Sequence, residues 1–163
     1  MEAKILIYAV NIIAIALPIA LFEICIEKGT GWGAGFSKDK WYGKIIGKNN
    51  RWAEFLTRTI GIPHFTTYHI CMLFLFLPIL LAVEYFFFLH NILLIVAIYI
   101  GVLIIEDFLW FVLNWHFPAL KELLKGPHGK IWWHKQWIKI FNKFYLPKSY
   151  LAIIISILLL LTA

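Results

Sequence analysis

Long apolar stretches alternate with basic segments along this chain, and the alternation predicts its architecture. The longest apolar stretch, residues 65–111, would extend for roughly 70 Å as one helix, about twice the ~30 Å hydrocarbon core of a bilayer. It is therefore predicted to fold back on itself, and His90 and Asn91 form the polar corner at which it turns. An apolar run of this length indicates that lipid, not water, surrounds most of the chain.

The pattern as a whole predicts an all-α integral membrane protein with four transmembrane helices and interfacial amphipathic helices on the cytoplasmic side. The chain is 62% hydrophobic and 15% charged, a composition that a water-soluble domain of 163 residues could not bury. We expect a single membrane domain over residues 1–163. The predicted spans are residues 5–22, 65–89, 92–115 and 147–163.

Two basic segments, residues 28–63 and 116–148, connect the first span to the second and the third to the fourth. Between residues 131 and 145, apolar side chains recur at steps of three and four while lysines mark another face. This spacing predicts an amphipathic helix that lies in the membrane interface. Residues 52–58 repeat the pattern more weakly, so a second interfacial helix is expected there.

The lysines and arginines predict the orientation of the protein in the membrane. Each basic segment carries seven of them, and Lys4 is the remaining one. Because fourteen of the fifteen share one side, the positive-inside rule makes the basic loops cytoplasmic and both termini non-cytoplasmic. The net charge of +6 then reflects this orientation, and no nucleic-acid partner is expected.

The strongest chemical signal is the pair Glu106-Asp107 inside the third predicted span. One acid near the centre of a membrane helix costs about 2.5–3.5 kcal/mol on insertion scales, so two adjacent acids require partners or a use. A functional site is one interpretation. The alternatives are an interhelical hydrogen-bond or ion-pair lock, and pairing of both acids with lysines of the interfacial helix.

Histidines on the same side of the membrane extend this signal to a larger candidate site. Carboxylates and imidazoles that converge from several helices can act as a general acid and base, and the catalytic candidates are Glu106, Asp107, His69 and His134. The same residue types bind iron, zinc or manganese, although no HExxH motif is present. A divalent metal is therefore a cofactor hypothesis, with the candidate ligands Glu106, Asp107, His69, His116 and His134.

Lysines and tryptophans of the basic segments are candidates for contact with lipid headgroups. The candidates are Lys38, Lys40, Trp132, Trp133, Lys135 and Lys139. Membrane anchoring is the simpler interpretation, and binding of an anionic headgroup is the more specific one. The glycine-rich residues 29–35 are expected to form a flexible interfacial turn, with contact to a lipid phosphate as the alternative.

These features favour a lipid-modifying enzyme with a buried carboxylate and histidine site that opens to the cytoplasmic interface, with metal dependence left open. A non-catalytic subunit or scaffold of a larger membrane complex is the second hypothesis, because buried acids can also be satisfied by a partner. A proton-coupled transporter is the third. The expected partners are membrane lipids, and protein subunits or further copies of this chain remain open.

Overall fold

Three helices of this protein are long and apolar enough to cross a membrane. The computed structural model describes residues 2–46, 51–117 and 119–163, and these three helices are α1 (Glu2–Glu27), α3 (Thr67–Leu89) and α4 (Ile92–Leu113). They confirm three of the predicted spans by length and composition. Residues 47–50 and Pro118, which belong to the predicted basic segments, lie outside the described residues.

The fourth predicted span is a shorter apolar helix, α6 (Lys148–Thr162), whose first turn, Lys148–Leu151, is a 3₁₀-helix. Its α-helical part has 11 residues and covers about 16 Å, well below the ~30 Å of a full crossing. Four spans are therefore not confirmed. Hydrogen bonds still fasten α6 into the bundle, because Ser156 Oγ lies 2.7 Å from the Tyr8 hydroxyl and donates to the Ala97 carbonyl at 2.6 Å.

The amphipathic helix expected between residues 131 and 145 does not form. Irregular backbone leads into an antiparallel hairpin of β3 (Trp137–Phe141) and β4 (Phe144–Pro147). The local sequence explains the difference, because Trp137 to Phe141 are mostly β-branched or aromatic residues that favour strands. In this segment the described helices are α5 (Ala119–Leu124) and a 3₁₀ turn, Gly126–His128.

The first basic segment folds closer to expectation. It contains a 3₁₀ turn (Trp41–Gly43) and the helix α2 (Arg51–Ile60), which covers the predicted amphipathic residues 52–58. The interfacial position of α2 remains a prediction. Strand β1 (Ile45–Ile46) pairs antiparallel with β2 (Phe65–Thr66) and so holds the start of α3 against the loop.

Two hydrophobic clusters organise the protein and leave the acids between them. One cluster joins α1, α3, α4 and α6 within the predicted membrane region and includes Ala16, Leu77 and Ile98. The other surrounds Trp110 near the end of α4 and brings residues of the second basic segment against that helix. α3 adapts locally by a π-helical stretch, Cys71–Phe76, next to a proline that cannot donate a backbone hydrogen bond.

Candidate functional site

Four carboxyl groups from two helices meet inside the protein. Glu23 and Glu27 lie one turn apart near the end of α1, and Glu106 and Asp107 are adjacent on α4, against which α1 packs. Glu23 and Glu106 both line a small cavity between α1, α3 and α4. This cavity has room for about one water molecule.

Asp107 binds a histidine and a tyrosine. Its Oδ2 lies 3.2 Å from Nε2 of His134 and accepts a 2.6 Å hydrogen bond from the Tyr150 hydroxyl. His134 belongs to the irregular segment before β3, and the Trp133 ring beside it stacks on Phe111 of α4 with 5.8 Å between centroids. This stacking holds His134 beside α4. The side chain of Asp107 keeps 21% of its surface exposed, so the pair is reachable from outside.

Glu27 lies at the centre of a second buried group. Its Oε1 accepts a 2.5 Å hydrogen bond from the Gly33 backbone N–H and lies 4.0 Å from Nε2 of His69. The His69 ring stacks on Trp32 at 4.3 Å, and its Nδ1 lies 2.7 Å from the Thr66 hydroxyl. Thr66 is the N-cap of α3 and forms a capping box with His69, so the helix start itself orients this imidazole.

The four acids have no lysine or arginine partner within the described ranges. Their ion-pair contacts are with His69 and His134, whereas the lysine–carboxylate pair that the structure shows joins Lys125 to Glu122. The alternative in which Glu106 and Asp107 pair with lysines is therefore not found among the described residues. Burying several like charges without a counter-charge is strongly unfavourable, so this cluster needs protons or a guest that offers hydrogen bonds.

Hydrogen bonds from two tyrosines give the cluster a structural role as well. The Tyr68 hydroxyl on α3 donates to Oε1 of Glu23 at 3.0 Å, just as Tyr150 on α6 donates to Asp107. Each bond joins two helices. The interhelical lock considered from the sequence thus exists, but it uses Glu23 and Asp107, and Oε1 of Glu106 finds no partner in the described part of the chain.

The predicted metal ligands do not assemble around one point. His69 approaches Glu27, His134 approaches Asp107, and His116 is exposed with its backbone N–H donating to Asn114. Over residues 2–46, 51–117 and 119–163, no group of three or more histidine, cysteine, aspartate or glutamate side chains is arranged to hold a metal ion. The acid–base interpretation fits this geometry better than the metal interpretation.

The candidate lipid-binding residues fall into two environments. Lys38, Lys40 and Lys139 are exposed, and the Lys135 amine lies 5.9 Å over the ring of Trp132, which is itself exposed. Trp133 is the exception: it is only 2% exposed and packs in the hydrophobic cluster around Trp110, so its side chain has little surface left for a lipid headgroup.

Part of the glycine-rich turn after α1 faces inward, with Gly31 and Gly33 buried. The Gly33 N–H is used by Glu27, and the Trp32 indole donates a 2.6 Å hydrogen bond to the His64 carbonyl. This part of the turn therefore serves the buried group around Glu27, and its Gly33 donor is not free for a lipid phosphate.

Sequence reasoning left several residues out of the candidate site that the structure places there. They are Glu23, Glu27, Trp32, Thr66, Tyr68 and Tyr150. For the two glutamates the available signal was their spacing of four residues at the end of an apolar helix, which puts both on one face. The tyrosines and the stacking tryptophan carry no such signal, because their contacts depend on how distant segments pack.

His64 provides a test of the loop arrangement outside the spans. Burial lowers the pKa of His64 below its ordinary value of 6.5, and the charges of Lys38 and Lys135 lower it further. Lys38→Gln and Lys135→Gln should each raise this pKa part of the way back, as followed by NMR titration of the imidazole. The unfolded chain takes up a proton at His64 at a higher pH than the folded protein does. His64 therefore lowers the free energy of unfolding as the pH falls through about 6.5. A pKa at or above 6.5 in the unmodified protein would contradict this placement.

No protein-family model, no curated protein and no solved structure matches this chain.

Proposed function

We propose that this protein is an integral membrane enzyme that performs acid–base chemistry on a lipid-like substrate at Asp107 and His134. The observation that supports it best is the contact between the Asp107 carboxylate and the His134 imidazole, with Tyr150 holding the carboxylate on its other side. A carboxylate of this kind orients an imidazole and stabilises the imidazolium that forms when the ring takes up a proton.

In this proposal His134 transfers the proton and Asp107 is its orienting partner. Nε2 of His134 lies 3.2 Å from Asp107 and has no hydrogen-bond partner among the described residues, so it is the ring atom available to accept a proton from the substrate. The rings of Phe111, Trp137 and Tyr150 surround the imidazole and limit the access of water. An apolar substrate reaches such a site from the bilayer more readily than a water-soluble one does.

The finer topology belongs to the same proposal. The basic loops lie in the cytoplasm, both termini lie on the other side, and α6 completes the bundle as a short fourth helix. Positive-inside charge bias and the hydrogen bonds from Ser156 to its neighbours support this arrangement. The Asp107–His134 pair then faces the cytoplasmic interface.

The test compares lipid conversion by the wild-type protein and by the Asp107→Asn variant. Asparagine can still accept the Tyr150 hydrogen bond, so the fold should be kept while the charge beside His134 is lost. Purified proteins in nanodiscs are incubated with a total lipid extract and the products are followed by untargeted mass spectrometry. We expect Asp107→Asn to reduce conversion at least about 100-fold.

Glu54→Gln is the matched control, because Glu54 is an exposed acid on α2 away from the cluster. It should convert lipid at the wild-type rate. Equal conversion by the wild-type and Asp107→Asn proteins would contradict the proposal.

A non-catalytic subunit of a larger complex is the second candidate. The tyrosine hydrogen bonds to Glu23 and Asp107 favour it, because they fasten helices together and need no substrate. The stability of a Glu106 variant separates the two candidates, as argued in the Discussion.

A further inference from the structure

Three buried polar atoms have no hydrogen-bond partner among the described residues. They are Oε1 of Glu106, Nε1 of Trp110 and Nε2 of His134. The side chains of Trp110 and His134 are only 4% and 7% exposed. Most buried polar atoms in folded proteins have a partner, so three unpaired ones in one region indicate a place that a guest completes.

The three atoms belong to one part of the protein. Glu106 and Trp110 lie one helical turn apart on α4, and Asp107 between them contacts His134. Nε2 of His134 lies 3.2 Å from Oδ2 of Asp107 without forming a hydrogen bond, so that nitrogen is still unpaired.

The small cavity beside Glu106 is lined mostly by apolar side chains. Glu106 and Glu23 are the polar residues of the small cavity between α1, α3 and α4. The remaining lining residues are Ile19, Met72, Leu73, Leu77, Val102 and Leu103. Two of these belong to the π-helical stretch of α3, where the backbone departs from regular α-helix. The carboxyl group of Glu106 therefore lies at the boundary between the unpaired polar atoms and apolar side chains of α1, α3 and α4.

The hydrogen-bonding capacity of the three unpaired atoms indicates which polar group a bound molecule must carry. Glu106 offers a carboxyl oxygen, while the indole of Trp110 offers an N–H donor and His134 a ring nitrogen. A phosphate only accepts hydrogen bonds and would be repelled by four carboxyl groups that no lysine or arginine pairs with in the described part of the chain. An ammonium group only donates and leaves the indole unpaired. A hydroxyl group both donates and accepts.

We propose that this site binds the neutral hydroxyl end of a long-chain lipid, whose apolar chain stays among the apolar helix surfaces and the lipid around the site. The inference rests on the proposed function in that it names the substrate class of the same site. It separates that site from the exposed lysines and Trp132, which serve as membrane anchors.

The experiment uses three photoreactive probes with the same saturated chain and a diazirine next to the polar end. The probes end in a hydroxyl, a phosphate or an amine, and each is added to the full-length protein in phosphatidylcholine nanodiscs. Cross-linked peptides are mapped by mass spectrometry. The hydroxyl probe should label residues 102–111 and 131–137 about tenfold more than either charged probe, because each charged probe leaves a buried hydrogen-bonding group unpaired.

Two variants sharpen the result. Trp110→Phe keeps the aromatic ring and removes the indole N–H, so labelling by the hydroxyl probe should fall about fivefold. Trp41→Phe, at an exposed tryptophan of the first basic segment, should leave labelling unchanged. The comparison of the three probes uses only the wild-type protein. It therefore still tests the inference if the Trp110→Phe variant misfolds.

Stronger labelling of these residues by the phosphate or amine probe would overturn the inference, and so would equal labelling of the two tryptophan variants. Cross-linking requires no turnover. Binding of the hydroxyl probe without any lipid conversion would therefore refute the enzyme alone. Conversion that depends on Asp107, combined with preference for a charged probe, would refute the substrate class alone.

Discussion

The Glu106→Leu variant should be more stable than the wild-type protein, by about 1–4 kcal/mol. Glu106 is half-buried and adjacent to Asp107, has no basic partner within the described residues and leaves the buried atom Oε1 unpaired. Leucine has a similar size and would meet the apolar lining of the adjacent cavity. The substitution also removes a neighbouring carboxyl group from Glu23, and Glu23 keeps its hydrogen bond from Tyr68. Unfolding in mixed micelles measures the change in free energy.

The control for this prediction is Glu54→Leu on the exposed face of α2, where a surface substitution should change stability by less than about 0.5 kcal/mol. A gain at Glu106 together with lost binding of the hydroxyl probe is the signature of a residue retained for function at the expense of stability. A loss of more than about 1 kcal/mol in Glu106→Leu would instead identify a structural lock. That outcome would favour the subunit over the enzyme.

Much of the fold could be predicted from the sequence because the bilayer imposes a simple rule. A helix must satisfy its own backbone hydrogen bonds in lipid, so long apolar stretches mark α1, α3 and α4. The corner between α3 and α4 was equally visible. His90 adopts a left-handed conformation with φ of 48°, and Asn91 caps α4 by accepting a hydrogen bond from the Leu94 N–H.

In the segments that connect the membrane-spanning helices, the sequence predicted the structure less well. The residues from 131 to 145 have a period that suits a helix, but their β-branched and aromatic composition and tertiary contacts produce a hairpin. Periodicity alone does not decide between the two for a short segment with mixed signals. The burial of Trp133 was not predictable for the same reason, since a helix in the interface would have exposed the residue that the actual fold buries.

Only the acids of α4 could be predicted as part of the candidate site, because the free-energy cost of placing an acid in an apolar helix does not depend on distant residues. Glu106 and Asp107 are conspicuous because an acid in an apolar helix is expensive wherever its partners lie. The pairing of His134 with Asp107 and of His69 with Glu27 depends on how an irregular loop and a helix cap meet α1 and α4. No spacing in the sequence encodes those distances, which is why one common set of metal ligands was expected and two separate histidine–carboxylate contacts are found.

The second large effect is expected at Gly31, in the turn that carries Trp32 and Gly33 to the Glu27 group. Gly31 has a φ of +62°, and a Cβ atom there would lie 2.5 Å from the ring of Trp133. Gly31→Ala combines about 1–2 kcal/mol of left-handed backbone strain with about 1–3 kcal/mol of overpacking, so a loss of about 2–5 kcal/mol is expected. Unfolding in mixed micelles measures it.

Gly61→Ala separates the two contributions to that loss. Gly61 also has a positive φ, +81°, but a Cβ atom there would meet Gln136 at an ordinary 3.5 Å. We expect this control to lose only the backbone part, about 1–2 kcal/mol. The excess loss in Gly31→Ala then reports the displacement of Trp133, whose stacking on Phe111 positions His134. Equal losses in the two variants would show that Trp133 does not pack against the turn, and the histidine of the proposed site would need another support.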